Sequence, residues 1–303
     1  VERMARSARE IYDVPLFFFL SMNSRGRRPG EYPSAGPLAH LIDVWHCAAP
    51  SVDFIAPDLY DDGFKGWTAQ YHLHNNPLFI PEIRHTQNNG VRAFYVFGEH
   101  NALGFSPFAI EDGSDEQGTP FVEGYEKLRE IMPLVTGWQG KDAMWGLLFD
   151  QNDKERIIED GSLVLTCRHN FTLPWDPRAT DGSVWPEGGG IIIRIAENEY
   201  IVAGNGIVVE FATASEKAFG KAAESLGEDG FASAGSKGTG TPGRKAWKGT
   251  RCGIGSVDEV KVNADGSFSY IRRLNGDQDH QGRHVRISVG DYKTLYVRLY
   301  EYQ

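Results

Sequence analysis

The sequence has few cysteines, no long apolar run and no surplus of positive charge, and each shortage excludes something. Its three cysteines, Cys47, Cys167 and Cys252, lie far apart. No Cys-x-x-Cys or Cys/His ligand spacing occurs, so no metal-binding residue is assigned. At most one disulfide could form, and cysteine usage therefore does not fix the redox compartment or the localisation. No apolar stretch approaches the ~20 residues of a membrane-spanning helix, so no membrane span is expected. Lys and Arg number 31 against 41 Asp and Glu, a net charge of −10. A nucleic-acid partner calls for a basic patch or stripe, and the charge balance argues against one. No Gly-rich phosphate turn follows any apolar strand-like run, which argues against a doubly wound nucleotide-binding sheet.

What is present is an alternating pattern over the first half. The chain has 303 residues, enough for two domains on size alone. It opens on a helical pattern over 1–14, read as the continuation of a longer protein. Pro15–Leu20 reads as a strand, Leu38–Trp45 as a helix, Val52–Tyr60 as a strand and Phe64–His74 as a helix. Pro77–Ile80 and Val91–Phe97 read as the third and fourth strands, and Phe121–Val135 as a helix. Strands alternating with helices imply a parallel sheet. Four such strands after a leading helix read as the second half of a (β/α)₈ barrel over residues 1–137.

From about Gly137 the helices stop. Met144–Asp150, Ser162–His169, Gly190–Ile195, Tyr200–Ala203, Ile207–Ala212, Ser267–Arg272, His284–Val289 and Thr294–Tyr300 read as short strands. Turns such as Asn205-Gly206 and Ala264-Asp265-Gly266 separate them. Many short strands without helices indicate an all-β sandwich or jelly roll over 138–303. Residues 213–250 interrupt it with Ala, Gly, Ser and Lys and read as a mobile insertion. A near-match to a phosphate loop at 238–245 falls in that insertion and lacks the Lys-Ser/Thr ending.

The stretch Asn76-Pro77-Leu78-Phe79-Ile80-Pro81-Glu82 organises the rest. Pro81 cannot donate to a sheet ladder, so the strand is expected to stop there. Glu82 then projects from the strand's carboxyl end, where parallel α/β barrels carry catalytic residues. Asp58 ends the preceding strand and serves either sugar binding or loop capping. Glu99 is placed beyond the fourth strand, to hold a sugar hydroxyl or to pair with Arg84 or Arg92. Asn23, past the first strand, is a sugar contact or a turn residue. Phe97 and Phe105 floor a sugar site or pack in the core. His72, His74, His85 and His100 have no carboxylate at ligand spacing. Asp277, His280, Arg283 and His284 read as a hydrogen-bonded turn cluster.

The motifs Gly30–Pro37, Asp53–Tyr60, Asn76–Glu82 and Gly98–Phe108 together resemble glycoside hydrolase family 35. Leu274–His284 is similar to the signature of the all-β C-terminal domain found in its bacterial β-galactosidase-like group. The resemblance implies a retaining glycosidase with two glutamates at the ends of barrel strands 4 and 7, acting on terminal β-galactosides of oligosaccharides without a cofactor. Glu82 matches the nucleophile. Tyr60 matches a tyrosine that hydrogen-bonds it. The acid/base glutamate would lie on a strand before residue 1, and its Asn-Glu motif has no match in this sequence. The other reading of the same residues is a carbohydrate-binding or catalytically inactive fragment.

Overall fold

The computed structural model describes residues 1–32, 34, 36–110, 119–218, 249–280 and 282–303. The expected insertion at 213–250, with its phosphate-loop-like stretch, lies mostly outside the described residues. The chain divides into two compact units, one built mainly from Val1–Leu148 and the other mainly from Phe149–Gln303. The boundary expected at residues 137–141 lies in the turn after a long helix, and the division falls one strand later.

The first unit alternates as its pattern suggests. Helix α1 (Glu2–Ile11) leads to strand β1 (Phe17–Ser21), then to a 3₁₀ turn and α2 (Ile42–Ala48). Strand β2 (Phe54–Leu59), α3 (Phe64–Tyr71), β3 (Phe79–Ile83), α4 (Asn89–His100), β4 (Gly104–Pro107) and α5 (Thr119–Trp138) follow. The four strands form one sheet in the order β1-β2-β3-β4, and every pairing is parallel. Ile55, Ala56, Leu59, Leu78, Ile80 and Ile83 are buried, because strands flanked by helices on a parallel sheet hide side chains on both faces. β1 is the exception. It lies at the sheet edge with Phe17, Phe19 and Leu20 exposed.

Buried Asn76 locks the turn before β3. Its amide accepts from the Ile55 N–H at 2.8 Å and donates to the carbonyls of Ile55 (3.0 Å) and Tyr71 (2.7 Å). One side chain thus does the work of a missing strand neighbour for β2 and also fastens the end of α3.

Two expectations are corrected here. β3 does not end before Pro81 but runs to Ile83. The missing N–H is accommodated by an irregularity in the β3–β4 ladder between Ile80 and Ile83. Val91–Phe97 is not a strand either. It lies inside α4, and the fourth strand is the short Gly-Phe-Ser-Pro run of β4. The run is rich in β-branched and aromatic residues, which favours a strand reading. Burial on several sides, at Val91, Ala93, Phe94, Tyr95 and Val96, hides the helical period. Asn101 ends the helix in the left-handed conformation at φ 49°. Tyr95 is buried on this helix.

After α5 comes β5 (Met144–Phe149), then an all-antiparallel region: β6 (Glu155–Asp160), β7 (Leu163–His169), β8 (Gly188–Ala196), β9 (Glu199–Asn205), β10 (Ile207–Thr213), β11 (Arg251–Val262), β12 (Phe268–Leu274), β13 (Val285–Ile287) and β14 (Lys293–Tyr302). β6 and β11 are strands that the sequence reading missed. In the second unit one sheet has the order β13-β10-β7-β6, and in another β12, β11, β14 and β9 run side by side. The second is centred on the long β11–β14 pairing, which is interrupted at Gly255 between Ile254 and Ser256. Asp258 on β11 is almost fully buried and accepts from Arg273 Nε (2.9 Å) and Arg298 Nη2 (2.7 Å). Burial opposes its charge, but the two guanidinium partners outweigh burial and hold its pKa below the ordinary value. Buried His169 is locked in one neutral tautomer. Its Nδ1 accepts from the Phe171 N–H, so Nε2 carries the proton that meets the Pro186 carbonyl. Burial pushes its pKa down to about 4.

Candidate active site

The site is built at the carboxyl ends of β1, β2 and β3. Ser21 pairs with Asp58, and Asp58 pairs with Glu82, so these three residues form one row across the sheet. Side chains alternate along a strand, which puts Asp58 and Glu82 on one face and the buried Leu59 and Ile83 on the other. Two residues further on, Tyr60 returns to the face of Asp58. Its hydroxyl donates to Glu82 Oε1 at 2.6 Å. Asn23 lies two residues past Ser21, in the loop that leaves β1.

The electrostatics follow from this crowding. Burial, and then the neighbouring Glu82 charge, raise the Asp58 pKa to about 6. Burial also raises the Tyr60 phenol to about 12, reinforced by its hydrogen bond to Glu82, so it remains a donor throughout the useful pH range. Asp58 Oδ1 and Asn23 Oδ1 are both buried without a hydrogen-bond partner among the described residues. Buried acceptors without donors are uncommon and mark places where a ligand or water completes the set.

The loops that hold the site are cross-tied. Arg25, beyond β1, pairs with Asp61, beyond β2. Asp61 also accepts from the Gly63 N–H at 2.7 Å. Arg84, two residues past Glu82, donates to the Tyr60 carbonyl and to Asp62 Oδ1 at 3.2 Å. The sequence reading did not single out Arg25 as a brace, and it considered Arg84 only as a partner for Glu99. The one available signal was an arginine two residues from the glutamate, which is weak on its own.

Of the expected site residues, Glu82, Tyr60 and Asp58 come together at the strand ends, and Asn23 lies in the loop just past β1. Glu99 and Phe97 do not join them, because they sit near the end of α4, not at a strand end. A crossover helix runs back along the sheet, so its last turn lies by the strands' amino ends. Consistently, the Leu103 N–H just after α4 meets the carbonyl of Leu78, just before β3. Glu99 Oε2 instead accepts from the Gly146 N–H at 3.3 Å. Phe105 is on β4 but is buried, edge-on to Phe64 with ring centroids 6.3 Å apart, and packs in the core. His72 and His100 face each other through Nδ1 atoms 3.1 Å apart. Among the described residues no group of three His, Cys, Asp or Glu is placed to hold a metal, and no helix is long and apolar enough to cross a membrane.

One consequence is measurable. The folded pKa of Asp58, about 6, lies above its ordinary 3.8. The folded state therefore holds the extra proton between those values, and stability falls as pH rises through that window. Asp58→Asn removes the buried charge. It should melt above the wild type at pH 7.5 and converge on it near pH 4. Thermal melts at both values check this, and a variant less stable at pH 7.5 would refute it.

These features define a class: a parallel α/β unit with a carboxylate–tyrosine pair at its strand ends, carried on the same chain as an antiparallel β unit. Residues 121–286, more than half of the chain, match the family described as a domain of unknown function (DUF5597). The chain belongs to that family. The matched segment covers α5, β5 and most of the β unit and does not include Glu82. No curated protein matches the chain.

Proposed function

We propose that the chain carries the nucleophile side of a retaining, β-galactosidase-like glycoside hydrolase acting on terminal β-galactosides of oligosaccharides. The observation that carries this reading is the 2.6 Å hydrogen bond from the Tyr60 hydroxyl to Glu82 Oε1 at the carboxyl end of adjacent parallel strands. In the proposed reaction one Glu82 oxygen attacks the anomeric carbon as the bond to the leaving oxygen breaks. The leaving oxygen takes a proton from a second carboxyl, ~5–5.5 Å away in retaining enzymes. Water then attacks the glycosyl ester, its proton returns to that second carboxyl, and Glu82 leaves as carboxylate. Tyr60 fixes which Glu82 oxygen stays behind. Below its pKa of about 6, Asp58 donates to a sugar hydroxyl; above it, Asp58 accepts.

The parallel order β1-β2-β3-β4 and the exposed apolar edge of β1 support a place in a larger (β/α)₈ barrel. The two antiparallel sheets support a β-sandwich for the other unit. The resemblance implies an acid/base carboxyl whose motif has no match among these residues, so the test is chosen not to need it. A dinitrophenyl 2-deoxy-2-fluoro-β-galactoside has a leaving group that departs without protonation. Incubated with the protein expressed from its natural reading frame, it should leave a fluorogalactosyl ester that peptide mapping places on Glu82. A label on another residue, or none, overturns the proposal.

A further inference from the structure

The β unit contains an open cleft of about 840 Å³, lined among others by Arg168 and Glu210 of the first sheet, Trp175, His284, and Tyr300 and Tyr302 of β14. That volume lies in the usual range of small-molecule sites. It shares no residue with the row around Glu82.

Three of its aromatic side chains are left in water: Trp175 is 51% exposed, Tyr300 49% and Tyr302 42%. Aromatic rings gathered in one concavity and left wet mark interaction sites more often than chance exposure. Their orientation is built in. Gly253 pairs with Tyr300 across the β11–β14 ladder. A Cβ on Gly253 would lie 2.5 Å from the Tyr300 ring, so the ring leans over bare backbone. Trp175 is braced by His280, stacked at 30° with 4.6 Å between centroids, and by His284 at 6.0 Å.

Two residues that line the cleft also have a buried nitrogen with unused hydrogen-bonding capacity. His284 is 2% exposed, and its Nε2 has no partner among the described residues. Arg168, which also lines the cleft, has a buried Nε without a partner among the described residues. Burial, followed by the cations around it, lowers the His284 pKa to about 4, so the ring is a neutral donor–acceptor at physiological pH.

The charges nearly cancel. Arg168, Lys217 and Arg283 face Glu210 and Glu216, three against two, which leaves +1. Most are already engaged. Arg168 pairs with Glu210, Lys217 donates to Thr166 Oγ1 at 2.9 Å, and Glu216 Oε2 accepts from the Thr213 and Cys252 N–H groups. An anion finds little net field here. A wholly apolar ligand would strand His284 and Arg168. With both glutamates committed to neighbours, no carboxylate pair among the described residues of the cleft is set up for glycosyl transfer.

A ligand with flat apolar faces, many hydroxyls and no charge satisfies all of these conditions. We propose that this cleft is a non-catalytic binding site for a neutral oligosaccharide, stacked on Trp175 and Tyr300 and hydrogen-bonded by His284 and Arg168. The proposal does not depend on the chemistry assigned to Glu82.

The test is native electrophoresis of the full chain in gels cast with neutral xyloglucan, galactomannan or mixed-linkage glucan, with polygalacturonate and a polysaccharide-free gel as controls. At least one neutral glycan should retard the wild type. Trp175→Ala, a change at an exposed ring, should weaken that binding at least about tenfold. Gly253→Val, which displaces Tyr300 without removing an aromatic ring, should do the same. Circular dichroism verifies that both variants fold, and Trp175→Ala alone decides if Gly253→Val does not. Glu82→Gln should be retarded like the wild type. The proposal is overturned if no neutral glycan retards the protein, if only polygalacturonate does, or if folded Trp175→Ala binds normally. Loss of binding in Glu82→Gln with normal binding in Trp175→Ala would place the glycan at the strand-end site instead.

Discussion

Replacing Glu82 by glutamine should leave the fold intact and reduce turnover of an aryl β-galactoside by ~10³-fold or more, the scale on which enzymes lose rate with their nucleophile. The amide matches the carboxylate in size and keeps an oxygen for the Tyr60 hydroxyl, which now lies 2.6 Å from Glu82 Oε1. What it lacks is a charged oxygen to form the ester. A structural role for Glu82 would predict a different pattern, with lower stability and a modest rate effect. A second variant separates the two further. Glu82→Gly opens space for azide, which would attack from the vacated side and yield an α-galactosyl azide. That inverted product identifies the missing group as the nucleophile. A glutamine variant that keeps most of its kcat, or a glycine variant with no azide product, would remove Glu82 from the mechanism.

The second large effect is on stability. Gly146→Val should destabilise the first unit by about 3–5 kcal/mol, at the upper end of overpacking mutations. The reason is a seam in which backbone lies against backbone. A Cβ at Gly146 would sit 2.3 Å from the Tyr95 carbonyl oxygen and 2.7 Å from the Glu99 N–H nitrogen, both on α4. On the facing helix, a Cβ at Gly98 would sit 2.8 Å from the Gly146 Cα. A Cβ at Gly189 of β8 would sit 2.7 Å from the Leu147 carbonyl oxygen. No flexible side-chain end can yield at these points, so α4 must lift away from β5 and expose Val91 and Phe94. Gly137 in α5 is the control, since its Cβ would meet nothing within 4 Å. Gly137→Ala should be neutral or slightly stabilising, because glycine is a poor helix former. Urea unfolding of both variants checks the contrast, and a Gly146→Val protein as stable as the wild type would refute it.

The sequence made the site more legible than the frame around it. Pro81-Glu82 stood out because a proline–acid pair after an apolar run is a local signal, and Tyr60 because the resemblance matches it to a tyrosine beside the nucleophile. The nearness of Asp58 to Glu82 was not legible, because it depends on strand register. The same holds for the unpartnered oxygens of Asn23 and Asp58. Glu99 was misplaced because Val91–Phe97 carries strand-like residues in a helix buried on several sides. The true fourth strand escaped because it is four residues long and opens with Gly104, whose missing Cβ makes room for the Phe79 ring. β11 was missed because its glycines and charges look like turn and surface. Gly253 is there for the Tyr300 ring, and Asp258 for two arginines on neighbouring strands.

The compact unit that carries Glu82 is not a continuous piece of chain. It draws Gly189–Ile193 from within β8 and Ala264–Gly266 from the turn between β11 and β12. A genetic crossover after Leu148 would therefore deliver β5 without the β8 residues that belong with it. The reciprocal product would carry those residues without their strand. Recombination cannot trade the strand-end site onto another β region at that point, nor trade the β region away, without damaging both. The unit that carries Glu82 is therefore inherited intact only when the chain on both sides of that point travels together.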